Sequence, residues 1–158
     1  MSFDNVCKLL AEKYPADFVR WLIGEATPNV KVLKTELSIE PIRADSVVFL
    51  QTANRILHIE FQTLTRSKPG IPFRILDYSV RLKRQYECPV IQIVVFLQET
   101  DDAIATTEAY IDETTTHHYR AIRMWEQDAT LFLAHEALLP LAPLCQTTSP
   151  RGLLSQVA

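Results

Sequence analysis

Apolar positions along the chain change their spacing several times, and each change predicts an element. Residues 3–23 carry Val6, Leu9, Leu10, Phe18, Trp21 and Leu22 in helical clusters, with Asp4 as a cap and Pro15 splitting the segment in two. Pro28 and Asn29 mark a loop, after which 30–42 alternates loosely through Val32, Leu37 and Ile39 as a strand. "ADSVVFLQ" (44–51) and "RILHIEFQT" (55–63) are β-rich runs joined by the polar link "TAN", the chemistry of a hairpin. The loop "LTRSKPGIP" leads to a helix over 73–87, with Pro72 near its first turn and Phe73, Leu76, Val80 and Leu82 turned inward. "PVIQIVVFLQ" (89–98) is a near-continuous β-branched run, the mark of a central strand covered on both faces. Residues 117–127 alternate as a further strand, and 128–144 begins as a helix that stops near Pro140 and Pro143. The order α, β, β, β, α, β, β, α predicts an α/β domain with a mixed sheet flanked by helices. Part of that sheet is an antiparallel meander and part is a strand reached by a helical crossover.

Composition narrows the class without changing this picture. The 158 residues suit one compact domain over 1–145, and 47% apolar with 22% charged residues is ordinary for a folded chain. The ending "TTSPRGLLSQVA" (147–158) has too little apolar content for another element, so 146–158 reads as a tail or as the start of a further region. Three glycines exclude a Gly-rich cofactor loop, and no apolar run approaches the ~20 residues of a membrane span. The N-terminus lacks the apolar core of a signal peptide. Cys7, Cys88 and Cys145 form no CxxC pair and fit reduced thiols of a cytoplasmic protein better than a disulfide framework or a zinc site.

Charge is distributed unevenly. The net value is −3, yet 66–84 holds Arg66, Lys68, Arg74, Arg81, Lys83 and Arg84 against Asp77 alone. Residues 99–113 hold Glu99, Asp101, Asp102, Glu108, Asp112 and Glu113 with no base. Two solvated faces would account for this. A basic lip able to hold a polyanion would account for it too, provided the lip adjoins a site.

The hairpin supplies a candidate for that site. Glu60 and Gln62 interrupt an apolar strand on one face, where an unpaired polar group costs about 1–3 kcal/mol. If Gln51 pairs with Ile56, Asp45 falls opposite Gln62 and diagonal to Glu60, so the three side chains converge within roughly 5–8 Å. Ile59 and Phe61 then point to the other side, into a helix layer. Two carboxylates and an amide oxygen make a hard-oxygen set suited to Mg²⁺, Mn²⁺ or Ca²⁺. The bland alternative is a pair of carboxylates at a wet strand end.

Taken together, "RADSVVFL", "RILHIEFQT", "IPFRILDYSVRLKRQY" and "PVIQIVVFL" resemble the recombination-promoting nuclease/putative transposase family of the PD-(D/E)xK nuclease superfamily. The resemblance runs over roughly 3–140, including the late "YRAIRMWEQDA" and "LLPLAPL". It implies a restriction-endonuclease-like core and metal-dependent cleavage of DNA, with Mg²⁺ or Mn²⁺ as cofactor. It also implies roles: Asp45 as first carboxylate, Glu60 as second, and Gln62 at the position usually held by Lys. Asp4, or alternatively Glu36, would be the additional acid. Gln62 departs from the pattern, because an amide carries no charge and cannot act as a base. Physical reasoning runs the same way: Asp45 and Glu60 can hold a cation, Gln62 can orient water, and the basic lip can grip phosphates.

The remaining candidates have plainer readings. His117 and His118 are adjacent, face opposite ways on a strand, and belong at the surface. His58 shares the Glu60 face and reads as a partly exposed strand histidine. Trp21 and Trp125 anchor the core, and Tyr78 belongs either to the core or to the nucleic-acid side. Two functions stand: a DNA endonuclease linked to recombination or mobile elements, and a catalytically inactive nucleic-acid-binding or interaction module on the same fold. A carbohydrate or ester hydrolase is a distant third for want of a nucleophile motif. Paired cuts on a duplex would suit a homodimer.

Overall fold

The computed structural model describes residues 2–27, 29–35 and 46–146. Helix α1 (Phe3–Lys13) and helix α2 (Pro15–Ile23) divide at Tyr14, because Pro15 lacks the N–H to continue α1 but suits the first turn of α2. Gly24, at φ 71°, closes α2 in the left-handed conformation and donates its N–H to the Arg20 carbonyl. Strand β1 (Lys31–Leu33) covers only part of the segment expected to be extended, and 36–45 lies outside the described residues.

Strands β2 (Val47–Gln51) and β3 (Ile56–Gln62) form the predicted hairpin in the predicted register, with Gln51 opposite Ile56 and Val47 opposite Glu60. Helix α3 (Ile71–Tyr86) crosses over to β4 (Val90–Phe96), which lies parallel to β3. The segment 117–127, expected as one strand, is divided. Thr116–His118 (β6) pairs with Ala109–Ile111 (β5) in a small separate hairpin, while Arg120–Arg123 (β7) joins the main sheet parallel to β4. The protein is thus α/β, with a mixed five-stranded sheet in the order β1-β2-β3-β4-β7 flanked by helices. Among the described residues no helix is long and apolar enough to cross a membrane. Helix α4 (Ala129–Ala134) is shorter than the 128–144 pattern suggests. Pro140 and Pro143 hold Glu136–Leu144 in 3₁₀ turns.

The two faces of the sheet differ in kind. One buries Leu57, Ile59, Phe61, Ile93 and Val95 beneath α1, α2 and α4 in a single apolar core that includes Cys7 and Phe18. The other lies under α3 and has two apolar clusters, one around Phe49, Tyr78 and Leu82 and one around Ile71, Ile75 and Val94. The inward stripe of α3 is Ile71, Ile75, Tyr78, Ser79 and Leu82. Of the side chains expected there, Leu82 is buried and Leu76 half-buried, but Phe73 and Val80 are 48% and 57% exposed. The helix begins at Ile71, and its i, i+4, i+7, i+11 row runs through Ile71 rather than Phe73.

Between those clusters runs a polar seam. Gln92 on β4 is 3% exposed, and its Nε2 lies 2.6 Å from the Ile75 carbonyl and 3.0 Å from His58 Nδ1. A carbonyl can only accept, so the atom beside it must be the amide nitrogen, which fixes the amide's orientation. His58 Nδ1 therefore accepts and its proton sits on Nε2. His117 Nε2, 2.6 Å from Gln92 Oε1, must donate. His58 is fully buried and not partly exposed as expected, because α3 covers it and its ring meets Phe49 and Tyr78 edge-on. Burial, and secondarily Arg74, lowers its pKa to about 3, so it stays neutral. His117 is half-buried rather than a bare surface residue.

Gln92→Leu should strand the Ile75 carbonyl and His58 Nδ1 and destabilise the fold by about 2–4 kcal/mol. Gln92→Glu, the same size but without donors at neutral pH, should cost a comparable amount. Urea denaturation of both variants checks this. If Gln92→Glu matched the wild type, the donors would not be what ties α3 to the sheet.

Candidate functional site

The alternation of β3 that buries Ile59 and Phe61 on one face sends Ile56, His58, Glu60 and Gln62 to the α3 face. Along that face the side chains become more polar toward the carboxyl end of the strand, where the chain leaves for the loop and α3. There a cleft of about 560 Å³ opens, lined by Glu60 and Gln62 from β3, Arg66 and Lys68 from the loop, and Arg74 and Arg81 from α3. Asp4 of α1 and Ser46 also line it. A shallower depression adjoins it, sharing Arg66 and Lys68 and reaching Asp102. Clefts at the carboxyl ends of strands next to a crossover are the usual place for ligands in α/β sheets.

Glu60 is 1% exposed. Its Oε1 accepts from Gln62 Nε2 at 3.1 Å and lies 2.6 Å from Arg74 Nη2. The guanidinium is close enough for an ion pair but is not aligned as a hydrogen bond, since Nη2 and Nε of Arg74 both lack a hydrogen-bond acceptor. Oε2 of Glu60 is buried and unpartnered. Burial pushes the Glu60 carboxyl above the usual carboxylate range, against the opposing pull of Arg74 and Gln62. Burial likewise raises the Tyr78 hydroxyl, helped by the Glu60 charge.

The sequence-predicted residues divide clearly. Glu60, Gln62, Asp4, Arg66, Lys68, Arg74 and Arg81 share one cleft, whereas Lys83 and Arg84 are exposed and do not line it. Asp45 and Glu36 lie outside the described residues. Asp4 is half-buried and accepts a hydrogen bond from Thr63 Oγ1, which ties α1 to the end of β3. Gln62, expected to orient water, spends its amide N–H on Glu60. The acidic segment is used locally: Glu108 accepts from the Ala121 N–H, Asp102 caps a 3₁₀ turn, and Asp112 closes the β5–β6 turn. Cys7 and Cys145 are buried thiols, each pushed up to about 12 mainly by burial, and Cys88 is half-buried; all three are free.

Two features escaped the sequence reading. Gln92 was visible as the one polar residue in an otherwise apolar strand, at the parity that faces α3. The pairing of Arg74 with Glu60 depends on where α3 starts and had no sequence signal. The chain matches no family model, no curated protein and no solved structure.

The donor set can be tested against a divalent cation. Glu60 offers an unpartnered buried oxygen, and Gln62 and Asp4 place further oxygens on the same cleft. This is hard-oxygen chemistry of the kind Mg²⁺ and Mn²⁺ prefer, although among the described residues no three His, Cys, Asp or Glu side chains cluster tightly enough to hold a metal.

The burial of Glu60 has a pH signature. Its carboxyl binds a proton more readily folded than unfolded, so its contribution is full below the ordinary glutamate range and is lost as pH rises through the folded value. Glu60→Gln should therefore gain stability over the wild type as pH increases from about 4 to 7. Arg74→Ala should lose about 3 kcal/mol at neutral pH by leaving Glu60 buried without its counter-charge, and less in acid. Thermal melts at both pH values check the asymmetry. A Glu60→Gln variant that grows less stable relative to wild type as pH rises would contradict it.

Proposed function

We propose that this chain is a divalent-metal-dependent endonuclease that hydrolyses phosphodiester bonds in DNA, built on a restriction-endonuclease-like core. We further propose a relationship to the recombination-promoting nuclease/putative transposase family. One observation carries this reading: a buried carboxylate with an unpartnered oxygen opens onto a cleft whose rim holds Arg66, Lys68, Arg74 and Arg81. The mixed sheet with a helical crossover after β3 supports it, as does the resemblance of "RADSVVFL" and "RILHIEFQT" noted above.

On this reading Glu60 and Asp45 hold Mg²⁺ or Mn²⁺, with Asp4 as the additional acid. When bound, such a cation neutralises charge on the scissile phosphate and acidifies a water molecule. The chain's own groups do the rest. Arg66 and Lys68 on the loop and Arg81 on α3 contact phosphates flanking the cut, each contact making affinity more salt-dependent. Gln62 can position a water or phosphate oxygen but takes no proton from it. Arg74, in the wall of the cleft beside Glu60, supplies a fixed positive charge near the reacting phosphate.

A second reading, an inactive DNA-binding module on the same fold, draws on two observations. Gln62 is committed to Glu60, and Arg74 already provides the counter-charge that a metal would provide. A plasmid-nicking assay in Mg²⁺, Mn²⁺ or EDTA separates the two. The endonuclease should nick in Mn²⁺ and not in EDTA, and Asp45→Ala and Glu60→Ala should each lower the rate at least about 100-fold, the scale on which electrostatic stabilisers act. Gln62→Lys, which restores the commoner triad, should raise activity. Mn²⁺ should raise the melting temperature of the wild type more than that of Asp45→Ala. Equal shifts would assign the chain to the binding module.

A further inference from the structure

Phe73 stands one residue before Arg74 on α3, lines the same cleft as Glu60, and is 48% exposed. Its ring meets Tyr110 of β5 edge-on, with centroids 5.5 Å apart and planes at 64°. The Tyr110 hydroxyl donates to Asp112 Oδ2 at 2.9 Å, and Asp112 Oδ1 accepts from the backbone N–H groups of Thr114 and Thr115 at 2.9 and 2.8 Å. The aromatic pair is therefore braced by the β5–β6 hairpin, and Phe73 presents ring surface to the cleft at little entropic cost. Leu64, 72% exposed, also lines that cleft.

Single exposed apolar side chains are ordinary on protein surfaces. An aromatic ring among Arg66, Lys68 and Arg74 in one concavity asks for a ligand with both a flat apolar face and repeated negative charge. Duplex DNA offers the charge but keeps its base faces stacked inside. An unpaired strand offers both, and a cationic groove interleaved with aromatics is the general solution for holding one. We infer that Phe73, braced by Tyr110, is a base-stacking platform, so that this site takes DNA carrying an unpaired stretch (a single strand, a flap or a frayed end) in preference to intact duplex. This deepens the nucleic-acid reading above and rests on it, but it does not require the chain to cleave.

The test is fluorescence anisotropy in EDTA, where no chemistry occurs, with a labelled mixed-sequence oligonucleotide used single-stranded and annealed to its complement. Wild type should bind the single strand at least about tenfold tighter than the duplex. Phe73→Ala should weaken single-strand binding about tenfold, the scale of one lost base–aromatic stack, and duplex binding less than about threefold. Phe73→Trp should retain the preference, while Phe73→Leu, apolar but without a π-face, should fall with Phe73→Ala. Phe73 is half exposed, so these variants should stay folded and lose at most a few degrees of melting temperature with the Tyr110 contact, which melts check. Equal losses for both DNA forms, or wild-type affinity in Phe73→Leu, would overturn the stacking role while leaving a DNA site standing. Absence of DNA binding by the wild type would overturn both. Sedimentation of the same variants covers the rival occupant: a dimer broken by Phe73→Ala without any change in strand preference would make this face a contact between copies of the chain.

Discussion

A carboxylate buried to 1% exposure and held 2.6 Å from a guanidinium sets the terms for everything beneath α3. Desolvating both ions costs several kcal/mol each, and the Arg74 contact and the Gln62 hydrogen bond offset only part of it, since burial outweighs them in raising the Glu60 carboxyl. The surrounding structure has to supply the difference. On the opposite face of the sheet it does so with a continuous apolar core in which Phe18 meets Phe61 edge-on at 6.2 Å and Trp21 meets Phe132 at 5.0 Å. On the α3 face the apolar packing is interrupted, and Gln92 takes over part of the work by tying the helix backbone to the sheet through Ile75. The charged pair is thus tolerated because its neighbours on both sides are over-determined. Such local expense in a fold otherwise consistent with its sequence is characteristic of positions kept for function.

Much of this architecture was legible in the residues, for a physical reason. The β2–β3 register follows from period-two alternation, because a slip of one residue would drive Glu60 into the apolar core and Phe61 out of it. The central place of β4 follows from its unbroken run of branched apolar residues. Errors arose where tertiary context overrode local pattern. The face of α3 differs from the pattern because Phe73 and Val80 have core-like side chains, but the helix starts at Ile71 and its inward row is set from there. The division of 117–127 between two sheets cannot be read from an alternation that both halves satisfy. Glu60 and the cleft-lining cations were identifiable as types. The pairing of Arg74 with Glu60 and the burial of His58 depend on how closely α3 lies on the sheet, which no spacing encodes.

The seam also limits how charge under α3 can vary. His58 lies two residues before Glu60 on the same face, yet burial and the Arg74 guanidinium hold its pKa at about 3, so it adds no positive charge at ordinary pH. Gln92 and Gln62 carry no charge at any pH. Among the described groups that face one another under α3, Glu60 and His117 are the ones whose charge can change between acid and neutral conditions, burial raising the Glu60 carboxyl and lowering the His117 imidazole. Protonated, Glu60 leaves Arg74 as an uncompensated cation facing the cleft. Ionised, it neutralises Arg74, as Asp77 does Arg81 at 3.1 Å, and leaves Arg66 and Lys68 of the loop to add to the positive potential of the cleft. On the proposed reading, a polyanion entering the cleft would compete with Glu60 for Arg74, and a divalent cation would compete with Arg74 for Glu60. The two ligands therefore act on opposite partners of one ion pair. By linkage, a ligand that draws off either partner lowers the cost of binding the other. On the proposed reading, a buried and imperfectly aligned pair is what couples cation binding to phosphate binding, and a well-formed bidentate bridge at the same place would oppose both.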